Sequence, residues 1–420
     1  MGVAQMANAL RRISLKTFAA TLAGACLFAF GLGTGCAQDL AWKDAIAAAT
    51  RALQEWRYVD AEQWLRTAVR ESEKFGPEDR RLAESLNRLG TVLYAQGKYV
   101  DAEEVIQRAL TMLEKTLGPG HLRVADSLNM MSGIYQVQGR YPEAEPLLDR
   151  ALEIREKVLG PEHPDVANTL NNLGTLYNSQ GDPAKAEMFY HRSLLILEKV
   201  YGPQHFSVAA TVSNLGLLSA SQGKVEEAER HLKRALTIRQ NALGTEHADV
   251  AASLDNLGTF YTAQKRYSEA QPLLERALAI QKKVWGADHL LVAVTLGNLG
   301  LLYQTQGKAV EAEPLLQQAL AIWEKIHGPE HVQVAGALAH LAETYEATGK
   351  YAEAEPLLKR ALAIRERTPG PQATELATSL ESYATLLRKM ERNTDAAPLE
   401  ARAKVIRAAQ ASANPPKGDK

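Results

Sequence analysis

Apolar residues at Val166, Leu170, Leu173 and Tyr177 recur at spacings of three and four, with polar residues between them. That period places them on one face of an amphipathic helix. The pattern breaks at Gln180-Gly181-Asp182-Pro183. Gly181 suits a helix end, Asp182 can cap a following helix, and Pro183 fits its first position. Ala186, Tyr190, Ser193 and Leu197 mark the buried face of that second helix, which ends at Val200-Tyr201. Gly202, in the left-handed conformation, closes it, as Gly160 closes the preceding one. Residues 166–207 therefore predict a helical hairpin, with Gly174 and Ala186 small where the helices come close.

The hairpin recurs. Gly118, Gly160, Gly202, Gly244, Gly286, Gly328 and Gly370 form one series with a 42-residue period, and His121, His163, His205, His247, His289 and His331 form another. A fixed period of this length marks stacked units, each burying its apolar face against its neighbours. The expected fold class is all-α, an α-solenoid of about nine stacked helical hairpins over residues 40–409. The first and last pairs depart from the pattern, as capping units do. Trp42, Trp56 and Trp64 should fill the core of the first pair, and Trp285 and Trp323 should pack on second helices. Residues 410–420 are expected to form a disordered tail.

Leu170-Asn171-Asn172-Leu173-Gly174-Thr175-Leu176-Tyr177, Gln180-Gly181 and Ala186-Glu187, repeated with this period, resemble tetratricopeptide repeats. They resemble in particular the long-loop variety of kinesin light chains and their bacterial relatives. The resemblance covers residues 40–409. It implies a right-handed superhelix whose first helices line a concave groove, and a protein or peptide segment as partner. The heptad region through which light chains pair with a motor has no counterpart here, so motor-adaptor function does not transfer.

Charge narrows the partners. With 48 basic and 49 acidic residues the net charge is −1, and no basic footprint points to nucleic acid. Residues 1–36 stand apart, a basic start followed by an apolar, small-residue run, which is the pattern of an export signal. Cys26 and Cys36 are the only cysteines. Lipidation of Cys36, cleavage after Ala37 and an uncleaved anchor all fit the boundary. Each puts the repeats outside the cytoplasm, as a periplasmic or envelope protein touching the membrane only through its N-terminus.

The loop histidines lie on different repeats, and nothing gathers a third ligand for a metal. Each stands where it can start the next helix. No Walker loop, H-E-x-x-H, G-x-S-x-G or Cys-x-x-Cys motif occurs, so no enzyme and no cofactor are expected.

The asparagines point elsewhere. Asn172, Asn214, Asn256 and Asn298 precede the Leu-Gly pair in four successive repeats. The resemblance places this position in the groove, where an amide can both donate to and accept from a peptide backbone. An equally good reading is that each amide bonds locally between neighbouring first helices, and the two are compatible. Asn129, Asn171 and Asp255 one step earlier, Asn168 four residues earlier, and Thr175 and Thr259 three later share that face. The middle of the groove is almost uncharged, with charge at Glu84 and Arg88 and again at Glu343, Arg388 and Lys389. Without central cations, a clamp for a C-terminal carboxylate is not expected. The leading reading is a non-enzymatic interaction scaffold in the cell envelope. Its alternative is an assembly element that packs by edges or ends.

Overall fold

The computed structural model describes the backbone of residues 33–55, 57–367 and 373–413. The described residues form helices joined by short turns, with no strand among them. The chain divides into two compact units, residues 1–127 and 128–420.

The first unit contains α1 (Gly33–Gln54), α2 (Tyr58–Glu73), α3 (Arg80–Ala95), α4 (Tyr99–Leu117) and the start of α5 (Leu122–Val137). Its centre is aliphatic, with Leu65, Leu82, Leu86, Leu93, Ile106 and Leu113 fully buried. The tryptophans do not fill it as expected. Trp64 is 46% exposed, because Ala61, Leu65, Ala68 and Val69 already occupy the buried stripe of α2. Trp42 is half-buried and donates to Ser85 Oγ at 2.9 Å. Trp56 lies outside the described residues.

The second unit continues with α6 (Tyr141–Leu159), α7 (Pro164–Ser179), α8 (Pro183–Tyr201), α9 (Val208–Ser221), α10 (Val225–Leu243), α11 (Ala248–Ala263) and α12 (Tyr267–Trp285). It ends with α13 (Leu290–Thr305), α14 (Ala309–His327), α15 (Val332–Ala347), α16 (Tyr351–Arg367), α17 (Ala373–Lys389) and α18 (Asn393–Ala413). Odd-numbered helices are first members of hairpins and even-numbered ones second members. From α7 to α17 each first helix packs on its own second helix, and up to α15 each also packs on the next first helix. First helices thus form the more closely spaced layer, the inner side wherever such a stack curves. Apolar clusters run between the layers, centred on Leu170, Leu173 and Tyr190 in one stretch and on Leu257, Phe260 and Leu274 in another.

Local chemistry sets the boundaries. Asp182 Oδ1 accepts from the Lys185 backbone N–H, capping α8 behind Pro183. At Gly174 an added Cβ would sit 2.6 Å from the Tyr190 ring, so the close approach of α7 and α8 requires glycine there. Gly160 and Gly202 do take positive φ (87° and 85°), but with ψ of 155° and 158° rather than left-handed helical values. This corrects the expected conformation, since an extended ψ at positive φ is a region open essentially to glycine alone. At the C-terminus α18 continues to Ala413, past the start of the expected tail, while residues 414–420 lie outside the described residues. So do residues 1–32, which hold most of the export segment, and the side chain of Cys36.

Candidate inner-face binding site

Five of the six loop histidines cap the next helix, and His205 makes the same bond just before a helix whose N-cap is Ser207. Nδ1 of His121, His163, His205, His247, His289 and His331 accepts from the backbone N–H two residues on, at 3.1–3.3 Å. Each such N–H is otherwise unsatisfied at a helix start. An accepting Nδ1 must be unprotonated. Burial pushes His289 and His331 down to about 4.

The asparagine row forms a ladder along the first helices. Asn214 Nδ2 donates to Asn171 Oδ1 at 3.0 Å, Asn256 Nδ2 to Ser213 Oγ at 3.1 Å, and Asn298 Nδ2 to Asp255 Oδ2 at 2.8 Å. The Asn172 amide lies 3.3 Å from that of Asn129. Each of the three rungs donated by Asn214, Asn256 and Asn298 joins one first helix to the residue one step before the asparagine of the preceding repeat. Asn171, Asn214 and Asp255 are buried in the process, whereas Asn129, Asn168, Asn172, Asn256 and Asn298 stay half-buried. Thr175 Oγ1 donates to the Asn171 carbonyl at 3.0 Å. Thr259 holds the same register without such a bond, and its buried hydroxyl has no partner among the described residues.

Two carboxylates stand in the acceptor row, Asp255 and Glu381, and Glu381 is paired with Arg407 at 2.9 Å. Thr295 Oγ1 donates to Asp255 Oδ1 at 2.7 Å, opposite the Asn298 bond. Burial pushes the carboxyl upward and these two bonds oppose the shift. The end charges expected in the groove all lie against other charged or titratable side chains. Glu84 pairs with Arg88 at 2.8 Å, Arg388 with Glu400 at 2.8 Å and Lys389 with Glu346 at 2.9 Å, while Glu343 lies 3.5 Å from His340.

The second helices contribute residues that the sequence did not assign to this face. Arg155 on α6 donates to the Asp165 carbonyl and to Thr169 Oγ1 at 2.7 Å, and with the Asn129 amide oxygen turned toward it, to that oxygen at 2.8 Å. Arg239 on α10 reaches Ser253 Oγ at 2.6 Å, and Arg365 on α16 the Glu375 carbonyl at 2.9 Å. Desolvation lowers the pKa of Arg239 and of Arg365. Their signal lies in the strings Arg150-Ala151-Leu152-Glu153-Ile154-Arg155, Arg234-Ala235-Leu236-Thr237-Ile238-Arg239 and Arg360-Ala361-Leu362-Ala363-Ile364-Arg365, where a second arginine returns at one register.

Among the described residues no helix is long and apolar enough to cross a membrane. Among curated proteins no sequence match is found. Solved structures share the architecture. BtubC (BKLC) from P. vanneervenii is 26% identical over 59% of this chain and 93% of its own, with a TM-score of 0.44. A kinesin-light-chain-like protein of nearly identical repeats from Podosopora anserina is 30% identical over 49% of this chain and 98% of its own, with a TM-score of 0.42. A Rap protein complexed with Competence and Sporulation Factor is 14% identical over 90% of this chain and 92% of its own, with a TM-score of 0.60. The tetratricopeptide repeat model matches eight overlapping stretches that together run from residue 39 to residue 404, and with the helical pairs and the period in place the chain belongs to the tetratricopeptide repeat family.

Proposed function

We propose that the protein is an exported, non-enzymatic scaffold that holds an extended segment of a partner protein along its inner, first-helix face. Family membership supports the coarser part, since tetratricopeptide repeat proteins are typically interaction scaffolds without enzymatic activity. The asparagine ladder carries the finer part. Nδ2 of Asn256 and of Asn298 is tied to the preceding first helix, which fixes the rotamer of each half-buried amide. An amide so fixed keeps acceptor capacity on Oδ1 for a peptide N–H, and its orientation is set before binding. Export, with Cys36 as the candidate lipidation site, is proposed from the basic and apolar pattern of residues 1–36.

The test is a partner captured with the array. Each peptide hydrogen bond lost should weaken binding by about 0.5–1.5 kcal/mol. Asn256→Ala with Asn298→Ala should therefore cost on the order of tenfold in affinity. Unchanged affinity together with a lowered melting temperature would make the ladder purely structural. A second reading, assembly through edges without a peptide, draws on Met188 and Leu195, which stand 56% and 67% exposed on α8. Self-association abolished by Met188→Ser with Leu195→Ser, but kept in the asparagine variant, would favour it.

A further inference from the structure

We propose that the inner face selects a partner segment bearing a lysine or arginine side chain, and that Asp255 receives that cation in the space beside Gly297. This rests on the groove reading above and gives it a chemical preference.

Between α7 and α15 the charge carried by the first helices themselves is acidic. The first helices α7, α9, α11, α13 and α15 contain no lysine and no arginine. Of their carboxylates, Asp165 and Asp249 sit in first turns beside the capping histidines, Glu346 is paired with Lys389, and Glu343 faces His340. Asp255 remains. It forms no ion pair among the described residues, and its two oxygens accept only from the neutral donors Thr295 and Asn298. A carboxylate has about four acceptor positions, so further donors can be accommodated. A buried charge without a counter-charge is unfavourable, and an ammonium or guanidinium arriving with the partner supplies one.

The neighbouring registers show why the cation must come from outside. Gln281 on α12 holds the register that Arg155, Arg239 and Arg365 occupy in other repeats. Arg155 lies against Asn129, the residue equivalent to Asp255. At Glu381, the other carboxylate of the acceptor row, Arg407 holds that position and pairs with it, whereas at Asp255 the position carries a neutral amide whose buried Oε1 has no partner among the described residues. There is also room. Gly297 occupies the next position of the acceptor row, adjacent in sequence to Asn298, and a Cβ built on it meets nothing within 4 Å.

The probe is a library of random twelve-residue peptides selected on the whole protein, on Asp255→Asn and on the Asn256→Ala, Asn298→Ala variant. The parent should enrich peptides with lysine or arginine at one recurrent position. A peptide so obtained should bind Asp255→Asn at least tenfold more weakly, and norleucine in place of its basic residue should cost as much. Gln281→Arg should also lose the preference, because it brings the missing cation from inside. If Asp255→Asn folds poorly, Asp255→Ser, the residue found at the Ser213 register, replaces it. Enriched peptides that lack a basic position yet depend on Asn256 and Asn298 overturn the cation proposal and leave the groove standing. Peptides that bind the double asparagine variant equally well, or no enrichment at all, overturn both.

Discussion

A histidine that caps a helix through Nδ1 must give up its hydrogen bond when it is protonated. For His289 and His331 burial adds to this, holding both near 4 in the folded protein against about 6.5 in an unfolded chain. Between those values the unfolded state binds more protons, so stability is whole above about pH 6.5 and falls as pH drops toward 4. The melting temperature should be flat from pH 8 to 7 and decline below 6.5. Asparagine caps without titrating, so His289→Asn with His331→Asn should flatten that decline, and an unchanged slope would show that the caps do not cause it. Glu229 and Glu355, held down to about 2 chiefly by hydrogen bonds from Arg266 and from Lys359 respectively, act below this window. A second residue departs from its repeat. After α11 the Arg266 N–H bonds to the Tyr261 carbonyl at 2.9 Å, a turn whose reversing residue is glycine in most repeats and Lys265 here, at φ 58°. A side chain in that region costs about 1–2 kcal/mol. Lys265→Gly should therefore raise stability by about 1 kcal/mol once the entropy of the added glycine is subtracted, and a loss on urea melting would contradict this.

In five of the helix pairs glycine marks a close approach, at Gly90, Gly174, Gly216, Gly258 and Gly300. At Gly216 an added Cβ would meet Leu232 Cγ at 2.9 Å, and at Gly174 it would meet the Tyr190 ring at 2.6 Å. A rigid ring yields less than a leucine tip, so Gly174→Ala should destabilise more than Gly216→Ala, by about 1–3 kcal/mol. Equal melting temperatures for the two would mean that the ring moves freely. At this scale most of the fold was legible. The three-and-four spacing in Val166–Tyr177 and the Gly-Asp-Pro break after Gln180 located α7 and α8 within two residues at each end, because both signals are local. The conformation of Gly160 was not legible, since sequence indicates positive φ but carries no information on ψ. The site was legible in part. Recurrence exposed the asparagine row, but the sequence could not say where each Nδ2 points, because its acceptor lies in another repeat. Arg155, Arg239 and Arg365 were missed for a different reason. They start on second helices and reach the first-helix layer only through the length of the side chain.

Among the described residues of 128–413, helix packing runs from each repeat to its neighbours. Besides the asparagine rungs, Glu229–Arg266, Glu313–Lys350 and Glu355–Arg392 each link a second helix to the turn that follows in the next repeat. Pairs this exposed contribute about 0–1 kcal/mol apiece, so burial between neighbours dominates. Stability in such an array is approximately a sum of local terms and nearest-neighbour interfaces. Damage near one end should then stay there. Leu387 is buried on α17 in a cluster with Leu358, Leu380 and Leu386, and Leu387→Ala should remove about 2–5 kcal/mol locally. Hydrogen exchange should show lost protection across α16, α17 and α18 while α7, α8 and α9 keep theirs. Equal loss in α7–α9 would instead show that this unit unfolds as one body. Groove binding could not then be separated from the integrity of the last pairs. If protection is lost only locally, Leu387→Ala leaves the ladder around Asp255 intact, and a partner held by Asn256 and Asn298 should still bind it with the parent's affinity.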